Sequence, residues 1–315
     1  MNRKHIMLAA AATATLALAL TACGTPTDTG GGGEDDGVLT IGFITKFPVD
    51  FYDIMVDAAK EWDANEPGAE VVFAQGKSGT DDEGEIAAIE SFITQGVDAI
   101  AIAPTSPNVT DALQKAVDAG IPVVLVDNDI PDWDGKTSVV ATDNYVGGQL
   151  AGTWLAENLP EGATIAVLQG VLGNPSLDDR VNGMLDTLGD AAEVVATVPT
   201  DCDQTKGLDA GQDILTANPG LTAMYAACSP SLIGALEAVK SAGLEGLIAV
   251  GFDAAPDEIA AILEGTETAT VAQFPAKMGS LGVQAAFDAA QGKDVEPNID
   301  TGTEIVTIDN VADFQ

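Results

Sequence analysis

Gly120-Ile121-Pro122-Val123-Val124-Leu125-Val126-Asp127 is a turn, an apolar run and an aspartate, and Gly246-Leu247-Ile248-Ala249-Val250-Gly251-Phe252-Asp253 repeats that form far down the chain. Neither run alternates between apolar and polar residues, so both read as strands covered on two faces. Such strands belong to parallel sheets flanked by helices. Each delivers an aspartate at its carboxyl end, the side on which open α/β sheets bind their ligands. Two similar α/β halves, each contributing one aspartate to a shared site, are the expectation.

The same rhythm extends in both directions. Apolar runs rich in Val and Ile at 39–44, 71–74, 99–103, 139–142, 165–169, 194–198 and 223–227 alternate with segments of helical period at 51–62, 85–94, 108–119, 149–158, 177–188, 207–216 and 231–242. The fold class is α/β: two Rossmann-like lobes with parallel sheets.

Before the first strand the chain has another character. Arg3 and Lys4 precede an apolar stretch at 6–20 that is short for a bilayer span, and Leu20-Thr21-Ala22-Cys23 follows as a small-residue cleavage site. This resembles a bacterial lipoprotein signal, which makes 1–22 a removed segment and Cys23 a lipidation site that anchors the protein to the outer face of the cell membrane. Residues 23–37, rich in Gly, Thr and Asp, then form a flexible tether.

Composition excludes several functions. Lys and Arg total 12 against 49 Asp and Glu, a net charge of -37, which repels a phosphate backbone and argues against nucleic acid as a partner. The single histidine, His5, lies in the signal. The mature chain therefore has no Ser-His-Asp or Cys-His pair and no His-ligated zinc, although carboxylate-based or Lys-based chemistry stays open. Gly76-Lys77-Ser78-Gly79 lacks the earlier glycine of a phosphate loop, because position 71 is Val71. No Gly-x-Gly-x-x-Gly follows the first strand, and Asp129, Asp132 and Asp134 miss the spacing of a calcium loop. No cofactor and no metal is called for.

What remains at the strand ends is polar: Lys46 with Phe51 and Tyr52, Asp127 and Asn128, Asp178 and Arg180, Asp201 and Cys202, Cys228, Asp253 and Gln273. Carboxylates accept hydroxyl hydrogen bonds, amides donate and accept, and an aromatic face covers C–H surface. That set suits a neutral polyhydroxyl ligand.

From residue 38 to 315 the chain resembles the ribose-binding-protein-like family of periplasmic sugar-binding proteins, the type I solute receptors of ABC transporters. The landmarks are Phe51-Tyr52, Ala103-Pro104-Thr105, Gly120 to Asp127, Thr142-Asp143-Asn144 with Gly147-Gly148, Arg180 with Gly183, Lys206-Gly207, Val250-Gly251-Phe252-Asp253 and Ala272-Gln273-Phe274-Pro275. The resemblance implies that Asp127, Asp253 and Gln273 bind sugar hydroxyls, that Phe51 and Tyr52 cover the ring, and that Arg180 holds the site's carboxylates. It also implies an ABC permease as partner, a monomer, and no enzymatic activity. The implied lobes are 38–142 with 274–302, and 143–273 with 303–315, hinged at 142–143, 273–274 and 301–303.

The departures from the family pattern bear on the ligand. Asn128 and Asp178 stand where that family has arginines, and Cys202 and Cys228 replace an aromatic residue and an asparagine. With Lys46 the nearest remaining cation, a carboxylated or phosphorylated ligand would leave its charge buried without a partner. The expected ligand is a pentose or an acyclic polyol such as xylitol or threitol, with a ring monosaccharide and an amine-bearing ligand as alternatives. Cys202 and Cys228 occupy positions whose family counterparts line one pocket, so a disulfide between them is expected, against two free buried thiols. Two rival functions stay open: a glycoside hydrolase using Asp127 and Asp253, and a receptor that reports its ligand to a membrane signalling protein.

Overall fold

The computed structural model describes residues 37–314. The chain starts as β1 (Leu39–Thr45), α1 (Asp50–Asn65), β2 (Ala69–Gln75), α2 (Asp82–Gln95), β3 (Ala99–Ile102), α3 (Thr110–Asp118), β4 (Val123–Val126) and β5 (Ser138–Ala141). It continues through α4 (Asn144–Asn158), β6 (Ala163–Gln169), α5 (Pro175–Leu188), β7 (Ala192–Pro199), α6 (Gln204–Ala217), β8 (Ala223–Ala226), α7 (Ser229–Ala242), β9 (Ile248–Asp253), α8 (Pro256–Glu264) and β10 (Ala269–Ala272). The last elements are α9 (Pro275–Ala290), β11 (Asn298–Asp300) and β12 (Glu304–Thr307).

Two six-stranded sheets result, in the orders β11-β5-β4-β3-β1-β2 and β12-β10-β9-β8-β6-β7. The orders are the same topology twice. In each, the first strand entered (β1 or β6) has its two successors on opposite sides, and the crevice at such a switch point is where open α/β sheets take their ligands.

Each sheet is buried on both faces, and the strands show why their sequences do not alternate in polarity. Ala99, Ala101, Val124 and Val126 join one core with Met55 and Met278, while Ile100, Ile102, Val123 and Leu125 join the core on the other face with Ile89 and Leu113. The edge strands β2 and β7 are only partly covered.

The expectation of wholly parallel sheets is corrected at one strand. β11 runs parallel to β5, but β12 runs antiparallel to β10. Helix α9 carries the chain to the far end of the first sheet, so β11 returns toward the crossover. No helix precedes β12, which therefore leaves the crossover and runs away from it.

Close helix packing sets up the second sheet's share of the site. A Cβ on Gly148 of α4 would fall 2.3 Å from the Arg180 carbonyl oxygen, and one on Gly183 of α5 would fall 2.2 Å from that of Tyr145. Only glycine lets α4 and α5 approach this far, and the approach fixes the height of Arg180. Asp143 caps α4, accepting from the Val146 N–H at 3.0 Å.

Candidate functional site

A cavity of about 300 Å³ opens between the carboxyl ends of the two sheets. Lys46, Phe51, Tyr52, Asp127 and Asn128 line it from the first sheet's side, and Arg180, Cys202, Cys228, Asp253 and Gln273 from the other. Backbone strain marks the same place. Among the described residues, the non-glycine positions with positive φ are Asp127, Asp201, Cys202, Asp253 and Ala254, and all but Ala254 line this cavity. Left-handed backbone is disfavoured for any residue with a Cβ, and its concentration at a cleft is a signature of function.

Asp127 follows directly on β4, so the buried strand aims its carboxylate into the opening. Its Oδ2 accepts from the Tyr52 hydroxyl at 3.0 Å and lies 3.5 Å from Lys46 Nζ. Lys46 also donates to Asn128 Oδ1, and Asn128 Nδ2 donates to Asn174 Oδ1 at 3.4 Å. Burial pulls the Lys46 ammonium below its ordinary pKa, with the Asp127 charge opposing, and pushes the Tyr52 phenol well up. Tyr52 therefore stays a neutral donor. Its ring packs edge-on against Phe47 and Phe51, with centroids 5.5 and 5.2 Å away.

Asp253 ends β9 and is held from three directions. Oδ1 accepts from Arg180 Nη1 at 3.0 Å and from Gln273 Nε2 at 2.7 Å, and Oδ2 accepts from the Ser229 N–H at 3.0 Å. Burial raises its pKa, against the opposing charge of Arg180. Arg180 is itself fixed: Nε donates to Asn144 Oδ1 at 2.8 Å, Nη1 donates to the Ala227 carbonyl at 2.9 Å, and the guanidinium stacks 4.0 Å over the Phe252 ring. Gln273 Oε1 is buried and has no partner, a free acceptor among residues that line the cavity.

Asp178 is the exception among the expected site residues. Its Oδ1 accepts from Gln169 Nε2 at 2.8 Å, and it does not line the cavity. At 3.6 residues per turn, Leu177 and Arg180 share the cavity face of α5 and Asp178 is turned about 100° away. Asn174 and Phe47 line the cavity without having been singled out from the sequence. Asn174 caps α5, accepting from the Leu177 N–H at 3.3 Å. The Asn-Pro pair opening an apolar helix is the signal that would have found it.

Cys202 and Cys228 form a disulfide with Cα atoms 5.8 Å apart. Among the described residues, no three His, Cys, Asp or Glu side chains gather closely enough to hold a metal ion. Cys23 and the signal lie outside the described residues.

The carboxylates and amides that line the cavity can exchange hydrogen bonds with a solute. Both cations in the cavity are committed to its carboxylates, and the groups left over are mainly acceptors. Comparison with known proteins agrees in kind. Residues 41–294 match the periplasmic binding protein domain family. The ribose import binding protein RbsB of Bacillus subtilis (strain 168) is 34% identical over 248 residues, 78% of this chain and 80% of that protein. The D-allose-binding periplasmic protein of Escherichia coli (strain K12) is 31% identical over 252 residues, 76% of this chain and 80% of that protein. An ABC transporter solute-binding protein from Bacillus halodurans C-125, solved with bound myo-inositol, superposes with a TM-score of 0.83 at 29% identity, covering 90% of this chain and 99% of that one. A second, from Mycobacterium smegmatis with bound glycerol, gives 0.82 at 30% identity, covering 88% and 96%. With its two lobes of mostly parallel sheet and the match across most of its length, the chain belongs to the periplasmic binding protein domain family, in its type I form.

Proposed function

We propose that this protein is the solute-binding component of an ABC sugar importer and that it takes one neutral polyhydroxyl ligand, a pentose or a sugar alcohol such as xylitol, between its lobes. The observation that carries the reading is the charge and hydrogen-bond balance of the cavity. Lys46 is paired with Asp127 and Arg180 with Asp253, so neither cation is free to neutralise an anionic ligand. Gln273 Oε1 and the aspartates remain as acceptors, and a ligand rich in hydroxyl donors satisfies them. In this reading Asp127, Asp253 and Gln273 bind hydroxyls, Phe51 and Tyr52 cover the ligand's C–H surface, Lys46, Asn128 and Arg180 position the carboxylates, and Asp178 has no part. The cavity volume sits at the low end of the roughly 300–1,000 Å³ of small-molecule sites.

The relatives named for ribose and allose, and the solved ones holding myo-inositol and glycerol, support a polyhydroxyl ligand. The lobes are 38–142 with 274–302, and 143–273 with 303–315. They close on the ligand by hinging where the chain crosses at 142–143, 273–274 and 301–303, a motion that periplasmic binding proteins make. The closed form meets the permease as a monomer, lipid-anchored through Cys23 outside the cell membrane, and the ligand leaves unchanged.

A thermal-shift screen over pentoses, hexoses and polyols tests the reading, because a binder stabilises the folded state with the logarithm of its concentration over its Kd. At least one neutral sugar or polyol should raise Tm. A flat response to the whole panel contradicts the assignment, and an unchanged scattering radius with ligand bound contradicts hinge closure.

A further inference from the structure

The disulfide sits where three strand ends meet the cavity. The turn after β7 places Asp201 and Cys202 in succession at φ 51 and 52, a left-handed pair with no glycine in it. Cys202 is bonded to Cys228, the residue before α7, and the next residue, Ser229, donates its N–H to Asp253 Oδ2 at 3.0 Å. The Cys202 sulfur also closes over Gly170 at the end of β6, where a Cβ would meet it at 2.9 Å. Both half-cystines line the cavity, with Cys228 buried and Cys202 partly open.

Bonds that do not involve the bridge hold the same region together. Thr200 Oγ1 donates to the Gln169 carbonyl at 2.9 Å and lies 2.6 Å from Ser231 Oγ. The Thr200 N–H donates to that carbonyl at 2.8 Å. The sheet therefore keeps its own ties when the bridge is cut, whereas the left-handed turn at 201–202 loses its covalent anchor.

We propose that the Cys202–Cys228 bridge is a positioning element of the binding site, and that its reduction weakens ligand binding while the second lobe stays folded. The proposal rests on the functional reading above. A small dithiol supplies two electrons and two protons to the S–S bond; the bridge becomes two thiols and the dithiol closes to its own cyclic disulfide. Freed of the bond, the turn relaxes from backbone disfavoured in residues with a Cβ. The Cys202 wall of the cavity moves, and the covalent tie between that turn and the residue preceding Ser229 is gone. Apparent affinity is then reduced to the fraction of molecules that still hold the binding geometry.

Calorimetry at 25 °C compares the oxidised protein, the protein treated with dithiothreitol, and the variant carrying Cys202→Ser and Cys228→Ser together. D-ribose, D-allose, xylitol and myo-inositol are the titrants. The titrant that binds the oxidised protein most tightly should bind the other two forms about tenfold more weakly or worse, while both still unfold cooperatively without ligand. Dithiothreitol should leave the double variant's Kd unchanged. A bridge that merely stabilises the fold would lower Tm and leave Kd at 25 °C untouched, and that result overturns the proposal. Loss of cooperative unfolding in both bridge-free forms overturns it too, since the lobe would then need the bond to fold. If a titrant binds all forms alike, the functional reading stands and this inference falls; if none binds the oxidised protein, both fall.

Discussion

The two lobes place an aspartate at the same point of the same sheet topology, yet hold it differently. Asp127 has a lysine at 3.5 Å and a tyrosine hydroxyl at 3.0 Å, both on one oxygen. Asp253 has an arginine, a glutamine and a backbone N–H spread over both oxygens, with the arginine locked in turn by Asn144, Ala227 and Phe252. Asp253 is therefore held through both oxygens, whereas the Tyr52 and Lys46 contacts of Asp127 fall on Oδ2 alone. The difference teaches that repeating a strand-and-aspartate device does not repeat its chemistry, since the neighbours decide how much of each carboxylate is left for a ligand.

The largest effect expected from breaking this contrast is at Arg180. Arg180→Met strips Asp253 of its ion-pair partner in a buried place, and removing one member of a buried pair costs about 3–5 kcal/mol. Denaturant unfolding should show a lower midpoint with unchanged slope. An unchanged midpoint would mean that Gln273 and the Ser229 N–H suffice for Asp253.

Each lobe also buries glutamate, and here the first lobe yields the sharper prediction. Glu85 on α2 accepts from the Thr105 N–H at 2.8 Å and hydroxyl at 2.6 Å, and burial pushes its pKa from 4.5 to about 7. A raised folded-state pKa means that this contribution to stability is fully present below pH 4.5 and is lost as pH rises to about 7. The loss is about 3.5 kcal/mol at most, from about 1.4 kcal/mol per pKa unit. Urea midpoints against pH should fall across that window in the native chain, and Glu85→Gln should flatten the fall; an equally steep profile in the variant would place the titration elsewhere. In the second lobe Glu258 and Glu267 lie together in the core, where Glu258 Oε1 and both Glu267 oxygens have no partner. Burial raises both pKa values well above the ordinary range, with the Asp253 charge adding to the rise at Glu258 and the Glu258 charge to that at Glu267.

Ligand affinity should separate the aspartates more finely. Asp127→Asn and Asp253→Asn each remove hydrogen bonding to a charged acceptor, worth about 1.5–3 kcal/mol. Asp253→Asn should fall at the upper end, because Arg180 then loses its counter-charge. Calorimetry giving native affinity for both variants would move the site out of this cavity. The smallest effect belongs to Tyr52→Phe, which deletes one neutral donor to Asp127 and should cost about 1 kcal/mol of binding. A larger loss would show the hydroxyl to be a direct ligand contact.

Much of this was legible in the chain itself, for physical reasons that also mark where reading stops. Strands β4 and β9 are buried on both faces, so their sequences are apolar throughout and their terminal aspartates stand out. β11 and β12 are three and four residues long with exposed positions among them, so no continuous apolar run marks them. The antiparallel run of β12 depends on where the chain crosses between lobes, which no local pattern encodes. At the site, residues carried on strand ends were readable because a strand end points one way. Asp178 and Asn174 sit at a helix start, where one residue's shift turns a side chain by about 100° and chooses between cavity and cap.

The central claim is that two internally neutralised aspartates make a cavity for hydroxyl donors and not for anions. Isothermal titration of the native protein with D-ribose, xylitol, and the phosphorylated pentose D-ribose 5-phosphate puts it to the most direct test. The account predicts saturable binding of a neutral compound and no measurable heat from the phosphate. Tighter binding of the phosphate than of either neutral compound would contradict it.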